Sequence, residues 1–313
     1  MRVVNNIAEL IGETPLVRLN RLPDQQGADV YVKLEYFNPS RSVKDRAAYN
    51  MIIEAEKAGL LQPGDTIIEP TSGNTGIGIA MSAAARGYKT IIVMPDSSTL
   101  ERINILKAYG ATVVLTPSDL KMPGAIQKAE EIAAGIPNSF IPMQFENEAN
   151  PDIHRHTTGP EIIRAMESLN RKLTAFVCTA GTGGTVTGTG EYLKGYDSTV
   201  TVHIAEPAGS PVLSGGKPGK HKLVGTSPGF IPSILNTSVY DEIFKIEDEE
   251  AYQTVRELAA REGVLLGPSG GASVYAAMQV AKRLTPEDTV VCIAPDNGER
   301  YLSSDLFDYE GEE

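Results

Sequence analysis

The chain has little of several features on which whole classes of protein depend. Its 313 residues include only two cysteines, which do not suit a disulfide scaffold and are not spaced as a metal site. No apolar run approaches the ~20 residues that a membrane-spanning helix needs. Lysine and arginine number 28 against 40 acidic residues, so nucleic acid and anionic membrane surfaces are disfavoured as partners. What remains is an ordinary folded protein with 41% hydrophobic and 22% charged residues.

The amino terminus, the two cysteines and the chain length indicate where the protein resides and how it is divided. The segment Met1–Asn6 lacks a basic stretch followed by an apolar core, so we expect no secretory signal and a cytoplasmic protein. Cys178 and Cys292 lie in apolar runs typical of strands, and we expect both to be buried core thiols. The length suits two domains, and a composition shift in the segment 147–158 is a plausible boundary between them.

Short β-branched runs alternate with helical stretches along the chain. The predicted strands are Val30–Leu34, Thr66–Ile68, Thr90–Val93, Thr112–Leu115, Phe176–Cys178, Val200–Ile204 and Val290–Ile293. The predicted helices are Asp45–Ala58, Gly76–Arg86, Leu100–Tyr109, Gly124–Ala134, Pro160–Leu169, Glu249–Glu262 and Val274–Ala281. This alternation predicts an α/β fold of two doubly wound domains with mostly parallel sheets. Ligands of such folds bind where strands lead into helices, so those loops are the candidate sites.

The first candidate loop is Thr71–Gly76, with the sequence TSGNTG, between an apolar strand and a helix of small residues. Hydroxyls, an amide and glycines at a helix start suit an anion such as a carboxylate, because backbone N–H groups and the helix dipole supply positive potential. The alternative is simple N-capping. One cap explains one such residue and leaves the others of the run unexplained.

The second loop is Gly181–Gly188, with the sequence GTGGTVTG. Glycines let the backbone close around a phosphate, and threonines add hydroxyl donors. A Walker A loop would need lysine where Thr189 stands, and a dinucleotide fingerprint would need glycine where Val186 stands. The loop therefore predicts a monophosphate site, with a tightly packed glycine turn as the alternative.

The third loop, Asn38–Arg46, carries Lys44 at a predicted helix start. The positive end of the helix dipole favours a neutral amine, which Schiff-base chemistry requires. The fourth loop, Gly267–Ser273, matches the Gly-x-Ser-x-Gly elbow of hydrolases in form. All four histidines precede Ser269, however, which contradicts the order of a hydrolase triad. His154 and His156 have no third ligand nearby, so we expect them to make local hydrogen bonds and expect no metal.

Taken in order, these loops resemble the fold-type II pyridoxal phosphate enzymes, a group similar to the tryptophan synthase β chain. The closest likeness is to the cysteine synthase (O-acetylserine sulfhydrylase) and cystathionine β-synthase group, over nearly the whole chain. The likeness extends to five further segments: Ile11–Leu16, Gln144–Asn147, Thr157–Glu161, Gly229–Pro232 and Pro295–Tyr301. Each motif is weak alone, but together and in order they are specific.

The resemblance implies a role for each candidate residue toward pyridoxal 5'-phosphate. Lys44 is implied as the Schiff-base lysine and as the base that removes the Cα proton. Asn74 is implied to hydrogen-bond the phenolic oxygen, and Ser269 to face the pyridine nitrogen. The implied phosphate ligands are Gly181, Thr182, Gly183, Gly184 and Thr185. The implied pocket for the substrate carboxylate consists of Thr71, Ser72, Thr75 and Gln144. A serine at the pyridine nitrogen weakens the electron sink, which suits loss of a leaving group from Cβ.

The implied reaction is β-replacement on O-acetyl-L-serine by sulfide, giving L-cysteine and acetate. Four positions depart from the common family pattern: Ser98 where methionine is usual, Pro228 in the loop Gly225–Pro232, Arg41 where a small residue is frequent, and Asn297 where serine is common. Because Ser98 and Pro228 lie in loops expected around the substrate, homocysteine or another nucleophile remains open as the second substrate. A catalytically silent relative that binds a partner is an alternative of another class, against which the retained Lys44, Asn74 and Ser269 argue.

The resemblance also implies the assembly. We expect a homodimer, with serine acetyltransferase as a possible further partner. The expected division is an N-terminal mobile domain of residues 35–147 with 1–12, and a phosphate-binding domain of residues 148–313 with 13–34. The active site is expected in the cleft between the two domains, with the region of Thr71–Gly76 closing over substrate.

Overall fold

The computed structural model describes residues 3–308, which form two compact units of the α/β class. One unit consists of residues 3–11 and Asn38–Asn150, and the other of Gly12–Phe37 and residues 151–308. The chain therefore passes three times from one unit to the other, after residues 11, 37 and 150.

Each of the two sheets belongs to one unit, and among the described residues the two together contain ten strands. They are β1 (Leu16–Arg18), β2 (Asp29–Leu34), β3 (Thr66–Pro70), β4 (Lys89–Pro95), β5 (Thr112–Thr116), β6 (Ser139–Phe140), β7 (Ala175–Thr179), β8 (Thr201–Pro207), β9 (Glu242–Ile246) and β10 (Thr289–Ala294). The α-helices are α1 (Lys44–Lys57), α2 (Asn74–Arg86), α3 (Leu100–Ala108), α4 (Lys121–Ala134), α5 (Ala149–Ile153), α6 (Gly159–Ser168), α7 (Gly184–Tyr196), α8 (Asp248–Glu257) and α9 (Pro268–Ala281). Two π-helical turns, His154–Thr158 and Leu258–Glu262, continue α5 and α8.

The unit that contains Lys44 has a parallel four-stranded sheet in the order β5-β4-β3-β6. Side chains of α1, α2 and α3, such as Ile52 and Ile79, form a buried cluster on one face of the sheet. Ala125 and Ala129 of α4 pack with Ile68 on the other face. Both faces are thus covered by helices, which explains why β3 and β4 are nearly continuous hydrophobic runs.

The other unit has a six-stranded sheet in the order β1-β2-β10-β7-β8-β9. All neighbouring strands are parallel except β1, which pairs antiparallel with β2. Buried residues of α8 and α9, such as Val255 and Ala276, belong to one core cluster of this unit. A second cluster includes Ile162 of α6 and Val186 of α7. The prediction of an α/β fold with two doubly wound, mostly parallel sheets is confirmed.

The structure differs from the sequence prediction in where several helices begin. Helix α2 begins at Asn74 and not at Gly76, so part of the predicted loop forms its first turn. Helix α7 was not predicted, because glycine and threonine have low helix propensity. The proposed boundary region 147–158 is helical from Ala149 onward, since α5 runs directly into the turn His154–Thr158. For α7, burial against the six-stranded sheet outweighs the low helix propensity of its residues.

Both cysteines are buried and free of disulfides, as predicted for core thiols. Cys292 lies in β10, and complete burial raises the pKa of its thiol well above the usual range. Within residues 3–308 no helix is both long and apolar enough to cross a membrane. The same residues contain no group of three or more histidine, cysteine and acidic side chains that could hold a metal ion.

Candidate active site

The loop before α1 holds Lys44 at the first helical position. The buried carboxylate of Asp45 accepts the backbone N–H of Ser40 at 2.6 Å and also the hydroxyl of Ser40, which ties the loop to the helix start. The backbone N–H of Lys44 donates to the hydroxyl of Ser42 at 3.2 Å. Arg41 has a φ of +70°, a left-handed conformation that explains the preference for a small residue there. Lys44 itself is partly buried.

The loop between β3 and α2 ends without a side-chain cap. Gly73 is the residue before the helix, and its N–H donates to the hydroxyl of Thr71 at 3.2 Å. Arg102 donates to the carbonyl oxygen of Ser72 at 3.2 Å. The N-capping alternative does not account for the polar run, because none of these side chains caps α2. The helix end is therefore suited to an anion.

Gln144 joins the same edge of the sheet from the segment after β6. Its side-chain oxygen accepts the hydroxyl of Thr75 at 2.6 Å, and its carbonyl oxygen accepts from Asn150 at 2.9 Å. The neighbouring residue Met143 has a φ of +57°. The pairing of β3 with β6 explains the meeting of Thr75 and Gln144, since parallel strands end at one edge of a sheet.

Glu69 of β3 holds the segment after β6 in place by a hydrogen bond. This role was not predicted from the sequence. Its side chain is 1% exposed, and its carboxylate accepts the backbone N–H of Met143 at 3.2 Å. Burial raises the pKa of Glu69 to about 8, although the backbone N–H groups of Met143 and Gln144 oppose the rise. A single acidic residue inside the apolar run of β3 was the signal that could have found it.

The glycine-rich loop after β7 leads into α7 in the other unit. Gly183 precedes the helix with a φ of +85°, a conformation that glycine adopts without strain. The hydroxyl of Thr182 accepts the N–H of Gly184 at 3.4 Å. The first N–H groups of α7 have no acceptors within the helix, so this end is built to receive an anion.

Two further features of this unit complete the candidate set. Ser269 is buried at the second position of α9, whose preceding residue Gly267 provides no side-chain cap. His154 is 1% exposed and hydrogen-bonds Thr158 and Thr185, as expected for a local role. His156 contacts the backbone of Asp152 in the same way.

The structure thus groups the predicted residues into two sets. The unit of the four-stranded sheet holds Lys44, Thr71, Ser72, Asn74, Thr75 and Gln144. The unit of the six-stranded sheet holds Gly181, Thr182, Gly183, Gly184, Thr185 and Ser269. In each set the residues stand at helix amino ends or beside them, apart from Gln144.

Two departures from the common family pattern have structural counterparts. The hydroxyl oxygen of Ser98 is buried and has no hydrogen-bond partner among the described residues. Ser227 has a φ of +42°, and its hydroxyl donates to the carbonyl oxygen of Ser210 at 2.8 Å. Its N–H donates to the carbonyl oxygen of Ala180 at 2.9 Å, which ties the segment before Pro228 to the start of the glycine-rich loop.

Comparison with known proteins gives concordant results. A family model described as pyridoxal-phosphate dependent enzyme matches residues 7–296. A Bacillus subtilis (strain 168) protein named probable cysteine synthase is 68% identical over 309 residues, which cover 99% of each chain. The solved structure of an O-ureido-L-serine synthase has a TM-score of 0.94 and 42% identity, and covers 100% of this chain and 98% of that one.

A second solved structure, cysteine synthase (OASS) from Entamoeba histolytica, has a TM-score of 0.93 and 39% identity. It covers 100% of this chain and 93% of that one. The family model spans most of the chain and the relatives exceed the identity at which fold and family are shared. The chain therefore belongs to the pyridoxal-phosphate dependent enzymes, in the cysteine synthase branch of fold type II.

Proposed function

We propose that this enzyme replaces the acetoxy group of O-acetyl-L-serine with sulfide, giving L-cysteine and acetate. The observation that carries the proposal is the 68% identity, over 99% of each chain, to a relative named probable cysteine synthase. The polar residues at the helix ends support it, because each one supplies a group that this chemistry requires.

The residues present fit pyridoxal phosphate. The amino end of α7 suits its phosphate, because it has no side-chain cap and its first N–H groups have no acceptors within the helix. Glycine is needed at position 183 for the left-handed turn and because a β-carbon there would lie 2.7 Å from the β-carbon of Leu235. We assign Gly181, Thr182, Gly184 and Thr185 to the same phosphate site. The cofactor, when bound, supplies an electron sink for the carbanion formed at the substrate Cα.

Lys44 is the proposed attachment point of the cofactor and the base of the reaction. Its amine takes the proton from the substrate Cα while acetate departs from Cβ. The same group is then the proton donor to Cα after the nucleophile has added at Cβ. Asn74, at the first position of α2, is assigned to the phenolic oxygen, and Ser269 to the pyridine nitrogen. A neutral hydroxyl at that nitrogen favours departure of a leaving group over a long-lived carbanion.

The carboxylate of the amino-acid substrate is assigned to the loop before α2. Thr71 and Ser72 border the uncapped helix end, whose dipole attracts an anion. Because the hydroxyl of Thr75 already donates to the side-chain oxygen of Gln144, the amide nitrogen of Gln144 is the group left to donate to the carboxylate. Fixing the carboxylate holds the Cα–H bond toward Lys44.

The nucleophile is assigned as sulfide, with homocysteine as the second candidate. The observation that favours a candidate besides sulfide is Ser98, which is smaller and more polar than the methionine common in the family. One solved structure of 42% identity is named O-ureido-L-serine synthase. A related protein of this fold is thus named for a product other than cysteine.

Reductive trapping tests the assignment of Lys44. Borohydride reduction of the enzyme loaded with pyridoxal phosphate, followed by peptide mass mapping, should place the cofactor on Lys44. Lys44→Ala should lose the visible absorption band and the label, whereas Lys57→Ala, at the exposed opposite end of α1, should keep both. Lys57→Ala should still produce cysteine from O-acetylserine and sulfide, whereas Lys44→Ala should not. A wild-type protein that takes up no cofactor would contradict the proposal.

We also propose that the enzyme is a homodimer of the cytoplasm and that it can bind serine acetyltransferase. Two free, buried cysteines suit a reducing compartment. Analytical ultracentrifugation of the enzyme alone should give a dimer mass. Mixing it with serine acetyltransferase should give a faster-sedimenting species, and unchanged sedimentation would exclude that partner.

A further inference from the structure

Thr185 stands at the second position of α7, inside the glycine-rich loop assigned to the cofactor phosphate. Its hydroxyl oxygen lies 3.2 Å from Nε2 of His154. A threonine hydroxyl carries one hydrogen, and it can direct that hydrogen either to an anion or to a neighbouring acceptor. Whether Thr185 can donate a hydrogen bond to a phosphate therefore depends on which partner donates in its hydrogen bond with His154.

His154 has partners on both ring nitrogens. Nδ1 lies 2.8 Å from the hydroxyl oxygen of Thr158, which is fully buried. In one arrangement Thr158 donates to Nδ1, and the N–H at Nε2 donates to Thr185. In the reverse arrangement the N–H at Nδ1 donates to Thr158, and Thr185 must donate to Nε2. The reverse arrangement would turn only oxygen lone pairs of Thr185 toward a phosphate, which is repulsive.

We propose that His154 is a positioning residue for the cofactor phosphate: its Nε2–H donates to Thr185, so that the hydroxyl hydrogen of Thr185 points at the phosphate. The inference rests on the proposed function, because that function assigns the loop of Gly181–Thr185 to pyridoxal phosphate. His154 does not touch the cofactor in this scheme and acts through Thr185.

The packing around His154 holds its side chain close to that of Thr185. Gly188 of α7 packs against the segment that ends α5. A β-carbon at position 188 would overlap the carbonyl oxygen of Pro151 and would lie 2.9 Å from the backbone nitrogen of Arg155. Arg155 in turn donates to Glu191 of α7 at 2.6 Å. Helix α7 and the π-helical turn His154–Thr158 are thus joined by close backbone packing and an ion pair. Such π-helical turns are frequent at functional sites.

The first test uses a cycle of variants, His154→Ala, Thr185→Val and the double variant, with the dissociation constant of pyridoxal phosphate as the readout. His154→Ala should raise this constant by about 10- to 100-fold, the size expected for losing an aligned hydrogen bond to a charged group. In the Thr185→Val background the same change should have almost no further effect. Equal effects in both backgrounds would overturn the inference.

His154→Gln is the conservative rescue, because the side-chain amide of glutamine can place an N–H donor where Nε2 stood. It should restore most of the affinity and the wild-type ³¹P chemical shift of the bound cofactor. The matched control is His156→Gln, two residues on in the same turn with an exposed ring, which should leave both readouts unchanged. A glutamine variant that binds as weakly as the alanine variant would count against the scheme.

A second measurement needs no variant. In wild-type enzyme carrying pyridoxal phosphate and ¹⁵N-labelled histidine, Nε2 of His154 should be protonated, and an unprotonated Nε2 would overturn the inference. The outcomes separate the inference from the proposed function. If wild-type protein binds pyridoxal phosphate and makes cysteine while the cycle is additive, only the role of His154 is wrong. If it binds no cofactor, the proposed function fails first.

Discussion

The carboxylate of Glu69 accepts the backbone N–H of Met143 at 3.2 Å, and Glu69 is almost fully buried. Burial raises the pKa of Glu69 from its ordinary value of 4.5 to about 8. The folded state therefore holds the proton more tightly than the unfolded state. The stability contributed by the neutral carboxyl is fully present below about pH 4.5 and is lost as the pH rises through about 8.

Glu69→Gln should remove this pH dependence, because an amide oxygen can still accept from Met143 but does not ionise. We expect the free energy of unfolding of the variant to exceed that of wild type by a margin that grows as the pH rises toward about 8. Urea unfolding at a series of pH values measures it. Glu130→Gln, an exposed carboxylate of α4 in the same unit, should follow the wild-type curve. Parallel curves for Glu69→Gln and wild type would mean that Glu69 is ionised throughout.

Arg41→Gly should stabilise the enzyme by about 1 kcal/mol, because glycine adopts a φ of +70° without the strain that a β-carbon brings. The greater entropy of glycine in the unfolded chain offsets part of the gain. Arg41→Ala removes the same charge but keeps the strain, so it should change stability little. Chemical denaturation of the three proteins compares these effects, and equal stability of the glycine and alanine variants would rule out strain as the cause.

Gly188→Ala should destabilise the enzyme by about 1–3 kcal/mol or more, because the new methyl group has no room beside Pro151 and Arg155. Gly195→Ala, near the exposed end of the same helix, meets nothing within 4 Å and should stabilise by about 0.5–1 kcal/mol. The melting temperatures of the two variants should therefore shift in opposite directions. A mild effect at position 188 would show that α7 can move away from the turn His154–Thr158.

Ser98→Met should raise the preference for sulfide over homocysteine by about tenfold or more, because a larger side chain excludes the larger nucleophile first. Loss of the buried, unpartnered hydroxyl oxygen should also leave the variant at least as stable as wild type. The readout is the ratio of kcat/KM for the two nucleophiles. Ser97→Met, an exposed neighbour, is the control. An unchanged ratio would place this loop away from the second substrate.

The sequence was sufficient to predict the fold class and the positions of the strands of six or more residues. Buried parallel strands leave continuous β-branched runs such as Thr90–Val93. The sequence was less informative where packing overrides propensity. Helix α7 begins in a run of glycines and threonines that no propensity scale favours, and burial of Val186 and Leu193 against the sheet holds it.

The candidate residues at helix starts could be named from sequence because their polar types are unusual beside apolar strands. The hydrogen-bond partners of the residues that support them could not. Glu69 and His154 act through neighbours that are remote along the chain, 74 residues for Met143 and 31 for Thr185. No local pattern encodes such pairs, whereas the topology of the parallel sheets brings them together.

The antiparallel edge pair β1 and β2 has a consequence for synthesis on the ribosome. Strand β2 is made early, but its parallel partner β10 starts at Thr289, and the two pair along their full length from Asp29 to Leu34. Until β10 has left the exit tunnel, Val30 and Val32 have only the short β1 to cover one edge of their strand. The nascent chain must therefore carry an open, apolar strand edge from the synthesis of β2 until that of β10, and such an edge can pair with the wrong strand.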